Sequence, residues 1–128
     1  MVILKDYVTE TNDFPNIGIV FKDINPIYKD PLIWKQGMKC LEDMVIKTKP
    51  DLIAGIESRG FIIAAALAYK FEIGFIPIRK AKKLPGNVIG LDYQLEYGSD
   101  RLELQEESIK ESNRIIIIDD LLATGGTA

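Results

Sequence analysis

Histidine is absent from this 128-residue sequence, and cysteine occurs once, at Cys40. The lack of histidine excludes His-based catalytic triads, His-ligated metal sites and imidazole acid–base chemistry. A lone cysteine excludes an internal disulfide and favours the reducing cytoplasm as the setting of the protein. Any catalysis is therefore expected to come from carboxylates, cationic side chains, backbone dipoles or a hard metal ion such as Mg²⁺.

Long hydrophobic runs and a strong net charge are also missing. The longest apolar stretch, residues 61–69, is far shorter than the roughly 20 residues that span a bilayer. The 16 basic and 19 acidic residues leave a net charge of −3, so the composition does not indicate a general nucleic-acid or membrane binder. The length fits one domain, which we place at residues 1–128.

Apolar patterning predicts strands that alternate with helices. A helix is predicted over residues 30–47, because Asp30 suits the N-cap and Pro31 suits the first helical position. Apolar residues at helical spacing support this helix: Trp34, Met38, Leu41 and Val45. The other predicted elements of this kind are a buried helix over 59–71 and strands over 51–56, 73–79 and 115–118.

The remaining segments carry weaker patterns. A short amphipathic helix is predicted over residues 3–11 and an extended piece over 19–24. A long loop is predicted over 80–98, with weak strand character near its end, and an extended segment follows at 101–105. Pro77 indicates that its strand lies at a sheet edge or that its backbone nitrogen needs no partner.

Three charged loops are expected to meet at one edge of the sheet. The four isoleucines at 115–118 predict a strand buried on both faces, as in a parallel sheet. Strands separated by helix-length connections give an α/β layer with a parallel core. Ligands of such sheets bind beyond the carboxyl ends of the strands. The loops at 57–59, 79–83 and 119–127 leave those ends, so we expect them to form one site.

The last of these loops combines paired acids with glycines. Asp119 and Asp120 suit sugar hydroxyls and a hydrated metal ion, although adjacent acids are also typical of a helix N-terminus. The Thr-Gly-Gly-Thr segment at 124–127 suits a phosphate, because glycines let backbone N–H groups approach it and threonines add hydroxyl donors. Together they indicate a binding site for ribose 5-phosphate.

The segment Ile-Ile-Ile-Ile-Asp-Asp-Leu-Leu-Ala-Thr-Gly-Gly-Thr at 115–127 resembles a known signature. It is similar to the phosphoribosyl-pyrophosphate (PRPP) binding motif of type I phosphoribosyltransferases, and its particular form resembles that of the adenine phosphoribosyltransferase family. Four further stretches agree with that family in the same order: residues 13–23, 57–61, 78–86 and 93–98. The resemblance covers nearly the whole chain.

This resemblance implies a fold and a reaction. The fold is an α/β type I phosphoribosyltransferase-like parallel sheet flanked by helices, with a mobile hood loop. The reaction joins adenine to PRPP, giving AMP and pyrophosphate in purine salvage, with Mg²⁺ as cofactor on the PRPP and a homodimer as the full-length form. The family continues beyond Thr127 with a helix and further strands, so we expect a C-terminally truncated member that is weakly active or inactive alone.

Residue roles for PRPP follow from the same resemblance. Asp119 and Asp120 would hold the ribose hydroxyls and the water shell of Mg²⁺, with no direct protein ligand to the metal. The 5-phosphate would bind the segment formed by Ala123, Thr124, Gly125, Gly126 and Thr127. Pyrophosphate would bind Glu57, Ser58 and Arg59, with a cis peptide between Glu57 and Ser58, and also Lys83.

Roles in catalysis and base binding are implied as well. Arg59, Arg79 and Lys80 would stabilise the charge that builds on departing pyrophosphate. In the hood loop, Glu96 would handle the proton of the adenine imidazole ring, and Tyr97 would position Glu96 or pack beside the sugar and base. The adenine pocket would consist of Val20, Phe21 and Lys22. Lys22, Ala81 and Lys82 depart from the residues usual in the family, which are Arg, a basic residue and Gly.

Other interpretations of these segments remain open. The basic residues at 79–83 are also typical of a solvated loop or a nucleic-acid binding patch. Arg59 is also compatible with a surface ion pair. Glu96 is also typical of an exposed strand, and Phe21 of a buried core position. At the level of function, one alternative is a phosphoribosyltransferase for another purine base. A second alternative is a non-catalytic regulator that senses PRPP.

Overall fold

The structure is a computed structural model that describes residues 3–95, 98–122, 125, 127 and 128. The chain divides into two compact units, Met1–Met44 and Val45–Ala128. In the described part of the chain, none of the helices is both long and apolar enough to cross a membrane.

The first unit contains a small antiparallel hairpin. Strand β1 (Thr9–Asn12) pairs with β2 (Val20–Asp23), and Thr9 lies opposite Asp23. The predicted helix over 3–11 is therefore wrong beyond its first turn, since only Leu4–Tyr7 is helical, as a 3₁₀ turn. Threonine favours strand over helix, and pairing with β2 satisfies the backbone groups of this segment. The extended piece predicted over 19–24 is confirmed by β2.

Two helices follow this hairpin. The short helix α1 (Asn25–Lys29) was not predicted and carries a proline in its first turn. Helix α2 (Pro31–Thr48) begins where the sequence predicts, and Asp30 caps it: its Oδ1 accepts the N–H groups of Leu32 at 2.9 Å and Ile33 at 3.2 Å. Of the predicted stripe, Met38 and Val45 are buried and Trp34 and Leu41 partly buried; Ile33, outside the stripe, is also buried.

The second unit is built on a five-stranded mixed sheet in the order β5-β6-β4-β3-β7. Its strands are β3 (Leu52–Ile56), β4 (Gly74–Lys80), β5 (Val88–Gln94), β6 (Ser99–Gln105) and β7 (Ile115–Ile118). Strands β4, β3 and β7 are parallel, and helix α3 (Gly60–Phe71) connects β3 to β4. Buried residues of α3 and this parallel trio form the core, including Ile53 and Leu67, both fully buried. The predicted α/β class with a parallel core is confirmed.

The described part of the long loop predicted over residues 80–98 contains a complete strand, β5. Strand β5 pairs antiparallel with β6 from Val88 opposite Gln105 to Gln94 opposite Ser99. Strand β6 in turn pairs antiparallel with β4 through Arg79 and Lys80 only. The nitrogen of Pro77 therefore needs no ladder partner on that side, which agrees with the second alternative predicted for it. Exposed strands with mixed polarity give a weak periodic signal, which explains why β5 was underestimated.

Strand β7 forms as predicted but is not buried on both faces. It pairs in parallel with β3, with Leu52 opposite Ile115. Ile118 is buried, whereas Ile117 is 53% exposed. Within the described residues β7 is the last strand on its side of the sheet, and an edge strand with helix cover on one face leaves the other face open.

Candidate active site

A cavity lies at the carboxyl ends of the parallel strands. It has a volume of about 280 Å³. The residues that line it come from the ends of β3 and β7, from the end of β4 and from the β5–β6 hairpin: Ile56, Glu57, Arg59, Lys80, Tyr93, Leu102, Asp119, Asp120, Leu121 and Thr127. The structure thus brings residues of all three predicted loops to one hollow.

An ion pair between a half-exposed arginine and a buried acid forms one wall of the cavity. Arg59 Nε lies 2.8 Å from Asp120 Oδ2, and the Asp120 side chain is only 4% exposed. Burial raises the pKa of Asp120, and the neighbouring carboxyl of Asp119 raises this pKa further, whereas the Arg59 cation opposes the shift. The backbone N–H of Asp120 donates to Asp119 Oδ1 at 2.8 Å. These contacts hold both acids at the end of β7, facing the loop that follows β3.

Gly60 allows the start of α3 to approach this acidic segment. A Cβ atom at Gly60 would lie 2.8 Å from the carbonyl oxygen of Ile118 and 3.2 Å from Asp119 Oδ1. Only glycine fits this approach without movement of the neighbouring backbone. Gly60 lies in a block that matches the family, but no role for it follows from the sequence, because the close approach arises only when two distant segments meet.

Glu57 connects the loop after β3 to the end of β4. Its Oε2 accepts the backbone N–H of Lys80 at 2.8 Å, and Arg79 Nε lies 3.4 Å from the same oxygen. The Lys80 N–H group, followed by the Arg79 guanidinium, lowers the pKa of Glu57. Arg79 also lies 3.5 Å from the carbonyl oxygen of Lys83 through Nη1. The peptide bond between Glu57 and Ser58 is cis, as the resemblance implies.

Arg79 and Lys80 occupy different positions at the site. Lys80 lines the cavity, whereas Arg79 lies outside the cavity lining and contacts Glu57. Glu103 on β6 fixes the turn that follows: its Oε1 accepts the Lys82 N–H at 2.9 Å. Lys82 has φ +66°, a conformation that glycine adopts freely, which accounts for the glycine usual at this position in the family.

Tyr93 lines the cavity and contacts Asp100, and neither residue has a role predicted from the sequence. They face each other in the β5–β6 register, and the Tyr93 hydroxyl donates to Asp100 Oδ2 at 3.2 Å. The same oxygen lies 3.0 Å from Lys80 Nζ. An acid and a tyrosine at paired positions of two facing strands would have indicated this contact, but the sequence does not predict the register of the hairpin.

The residues predicted for adenine belong to the first unit. Val20 is half exposed. The ring of Phe21 contacts that of Phe14 edge to face, with centroids 5.2 Å apart. Lys22 forms an ion pair with Glu10. All three residues lie on strand β2. Their role in binding adenine stays a prediction.

Several predicted site residues lie outside the described part of the chain: Glu96, Tyr97, Ala123, Thr124 and Gly126. Of the predicted phosphate segment, Gly125 and Thr127 are described. Gly125 has φ +83°, a left-handed conformation typical of a glycine in a tight turn. Thr127 lines the cavity beside Asp119.

Asp119 and Asp120 are the residues of the cavity that could hold a hydrated metal ion. In the ranges that the structure describes, no group of three or more His, Cys, Asp or Glu side chains is arranged to hold a metal ion. Asp119 and Asp120 supply carboxylate oxygens, which Mg²⁺ prefers, and Mg²⁺ commonly keeps several waters while it binds phosphates. The donor set therefore fits a magnesium ion that arrives with a diphosphate.

Comparison with known proteins identifies the family of this chain. Residues 26–128 match the phosphoribosyl transferase domain family. An adenine phosphoribosyltransferase of Prochlorococcus marinus is 62% identical over 125 residues, which cover 98% of this chain and 73% of that protein. The crystal structure of the Thermoanaerobacter pseudethanolicus enzyme has a TM-score of 0.90 at 45% identity, covering 97% of this chain and 72% of that one.

A third relative was solved with ligands. The Saccharomyces cerevisiae adenine phosphoribosyltransferase, complexed with adenine and an imino-altritol bisphosphate, has a TM-score of 0.87 at 40% identity. The match covers 96% of this chain and 72% of that one. The chain belongs to the phosphoribosyltransferase family and, within it, to the adenine phosphoribosyltransferases.

Proposed function

We propose that this chain transfers the 5-phosphoribosyl group of PRPP to adenine, giving AMP and pyrophosphate. The observation that carries the proposal is the cavity at the carboxyl ends of the parallel strands, where Asp119 and Asp120 lie beside Arg59 and Lys80. Paired acids suit the ribose hydroxyls, and cations suit the diphosphate. One cavity therefore offers suitable groups for both ends of PRPP.

The sugar end of PRPP would bind the segment that follows β7. Asp119 and Asp120 would accept hydrogen bonds from the ribose hydroxyls. The residues from Ala123 to Thr127 would surround the 5-phosphate with backbone N–H groups and threonine hydroxyls. Thr127 already lies at the cavity wall, which supports this assignment.

The diphosphate end would bind the cationic side of the cavity. Arg59, Lys80, Lys83 and the loop residues Glu57 and Ser58 would hold it, and Arg79 would act on this loop through Glu57. When the bond from the ribose to pyrophosphate breaks, negative charge builds on the leaving group, and fixed cations there lower the barrier. Magnesium bound to PRPP would neutralise further charge, with its water shell held by Asp119 and Asp120.

Adenine would bind Val20, Phe21 and Lys22. Backbone groups of an extended strand match the ring nitrogens and amino group of a purine, and the Phe21 ring offers a surface for stacking. Glu96 would take the proton from the adenine ring as the new bond to the ribose forms. Tyr97 would position Glu96 or pack beside the sugar and base. A homodimer and a cytoplasmic setting complete the proposal.

The direct test is product formation from a panel of bases. The chain is incubated with PRPP, Mg²⁺ and adenine, hypoxanthine, guanine or xanthine, and nucleotide and pyrophosphate are measured. We expect any AMP to form from adenine, at a low rate in this chain alone, and less product from the other bases. Product from a 6-oxopurine instead would support the other-base alternative. PRPP binding without any product, measured on a version as long as its relatives, would support the regulatory alternative.

A matched pair of variants tests the site within this assay. Asp119→Asn keeps the shape of the side chain but removes a cavity carboxylate, so we expect AMP formation to fall by about 100-fold or more, the loss typical of a charge at a reacting centre. Asp43→Asn changes an exposed acid on α2 and serves as the control. Equal activity of the two variants would contradict the proposed sugar site.

A further inference from the structure

Three side chains form a cluster at the rim of the cavity, which we call the Asp100 cluster: Lys80, Tyr93 and Asp100. Lys80 Nζ lies 3.0 Å from Asp100 Oδ2. The Tyr93 hydroxyl donates to that same oxygen at 3.2 Å. Lys80 and Tyr93 line the cavity, whereas Asp100 contacts both of them without being part of the lining. One carboxylate oxygen thus contacts two groups that face the proposed diphosphate site.

The strand register explains how the Asp100 cluster assembles. Asp100 lies opposite Tyr93 in the β5–β6 ladder, and Lys80 lies opposite Leu102 in the β4–β6 ladder. Residues two apart on a strand share a face, so Leu102 and Asp100 face the same way. The central strand β6 therefore carries an acid within reach of both neighbouring strands.

The carboxylate of Asp100 is itself held in place. Its Oδ1 accepts the backbone N–H of Arg101 at 2.8 Å, which leaves Oδ2 directed at Lys80 and Tyr93. The Lys80 ammonium lowers the pKa of Asp100, and Asp100 in turn raises the pKa of Lys80. Both groups are therefore charged at neutral pH, and the ion pair persists there.

We infer that Asp100, held in turn by the Tyr93 hydroxyl, is a positioning residue that directs the Lys80 ammonium toward the diphosphate of PRPP. This inference rests on the proposed function. Lys80 is 56% exposed, and a long side chain loses rotamer freedom when a ligand fixes it. An ammonium group has three donors, so a contact with Asp100 leaves others for phosphate oxygens. The Lys80–Asp100 ion pair also connects strand β6 of the hairpin to a residue that lines the cavity.

A second ion-pair network on the hairpin provides a matched control. Arg101 Nη1 lies 3.4 Å from Asp92, and Arg101 Nε lies 3.1 Å from Glu103. Asp92 and Arg101 face each other one position along from Tyr93 and Asp100, so their side chains lie on the other face of the hairpin. Asp92 thus pairs with a cation on the same two strands but does not contribute to the cavity wall.

The test compares Asp100→Asn with Asp92→Asn. Magnesium pyrophosphate binding is measured by calorimetry, and the KM values for PRPP and adenine are measured in AMP formation. We expect Asp100→Asn to weaken pyrophosphate binding and raise the KM for PRPP by about 5-fold, the effect of leaving one long side chain to be ordered by the ligand. The KM for adenine should stay unchanged, and Asp92→Asn should leave all three values near those of the unchanged chain.

A double-mutant cycle separates positioning from general stability. In a Lys80→Met background, Asp100→Asn should add little further loss, because the ammonium group that Asp100 directs is already gone. If Asp100→Asn does not fold, Tyr93→Phe removes one contact of the same oxygen and should weaken pyrophosphate binding about 2-fold. Thermal unfolding of each variant shows whether the fold is intact.

Specific outcomes would overturn the inference. Equal pyrophosphate affinity of Asp100→Asn and Asp92→Asn, a rise in the KM for adenine as large as that for PRPP, or additive losses in the cycle would each do so. If the unchanged chain neither binds pyrophosphate nor forms AMP, the proposed function fails and the inference fails with it. An unchanged chain that binds pyrophosphate, paired with an unaffected Asp100→Asn variant, contradicts the inference alone.

Discussion

At the scale of single residues, Gly60 shows how one missing side chain shapes the site. We expect Gly60→Ala to lower the free energy of unfolding by about 1–3 kcal/mol, because the new methyl group overpacks a tight contact. Its Cβ would lie 2.8 Å from the carbonyl oxygen of Ile118, a backbone atom that can move only with the end of β7. Asp119 would move with it, so PRPP affinity should fall as well. Urea unfolding and PRPP titration measure the two effects.

The control for this variant is another helical glycine. A Cβ at Gly37 on α2 would meet only the methyl groups of Leu4, at 3.5 Å, which is an ordinary contact. Gly37→Ala should therefore stabilise the protein by up to about 1 kcal/mol through helix propensity. A Gly60→Ala protein with unchanged stability and unchanged PRPP affinity would contradict the role assigned to the close approach.

Glu103 predicts an acid-dependent loss of stability. The Lys82 N–H group and the Arg101 guanidinium lower its pKa from the ordinary value of 4.5. The folded-state pKa thus lies below the unfolded-state pKa, so the stabilisation is complete above pH 4.5 and is lost as the pH falls through the folded value. We expect the free energy of unfolding to drop over this acidic range, and Glu103→Gln to flatten the drop.

Urea unfolding at a series of pH values measures this effect. Glu111→Gln, a change at an exposed acid in a turn, serves as the control. Its pH profile should follow that of the unchanged chain. If Glu103→Gln also follows that profile, the hydrogen bond to the Lys82 turn does not contribute to stability as inferred.

At the scale of elements, helices and strands with a buried apolar face are the ones that the sequence predicts accurately. Helices α2 and α3 and strands β3, β4 and β7 lie within two residues of their predicted positions, because each carries an apolar face and clear end signals. Strands β1 and β5 were missed or underestimated. Their residues are mostly exposed and paired through backbone hydrogen bonds, which leave no periodic trace in the sequence.

The start of α2 gives an element-scale prediction. Asp30→Ala removes the side-chain oxygen that accepts the N–H groups of Leu32 and Ile33. We expect the free energy of unfolding to fall by about 1 kcal/mol, the usual effect of losing an N-cap. Asp30→Asn should restore most of the loss, because asparagine also caps helices. Urea unfolding measures both variants, and equal stability of Asp30→Ala and Asp30→Asn would contradict the capping role.

At the scale of the whole molecule, topology predicts the site better than local sequence does. Residues distant along the chain, such as Glu57, Lys80 and Asp119, share one cavity because parallel strands end at the same edge of the sheet. This rule needs only the order of strands and helices. The positions of Tyr93 and Asp100 depend instead on the register of an antiparallel hairpin, which exposed strands do not specify in sequence.

Ligand linkage extends this argument to the stability of the molecule. If PRPP with Mg²⁺ binds only the folded chain, it should raise the free energy of unfolding by about 2.7 kcal/mol at 100 times its Kd. Removal of Mg²⁺ with a chelator should reduce this gain, because the diphosphate charge then lacks its counterion. The unfolding temperature is measured with PRPP and Mg²⁺, with PRPP and chelator, and without ligand.

One variant connects this measurement to the cavity. Arg59→Met keeps an unbranched side chain but removes the cation paired with Asp120, whose carboxylate is almost fully buried. The unliganded variant should be less stable, since a buried acid loses its partner, and PRPP should stabilise it much less than the unchanged chain because the diphosphate loses a cation as well. Lys35→Met, at an exposed position on α2, controls for loss of a positive charge. If PRPP stabilises the Arg59→Met protein as strongly as the Lys35→Met protein, the Arg59–Asp120 pair does not contribute to PRPP binding.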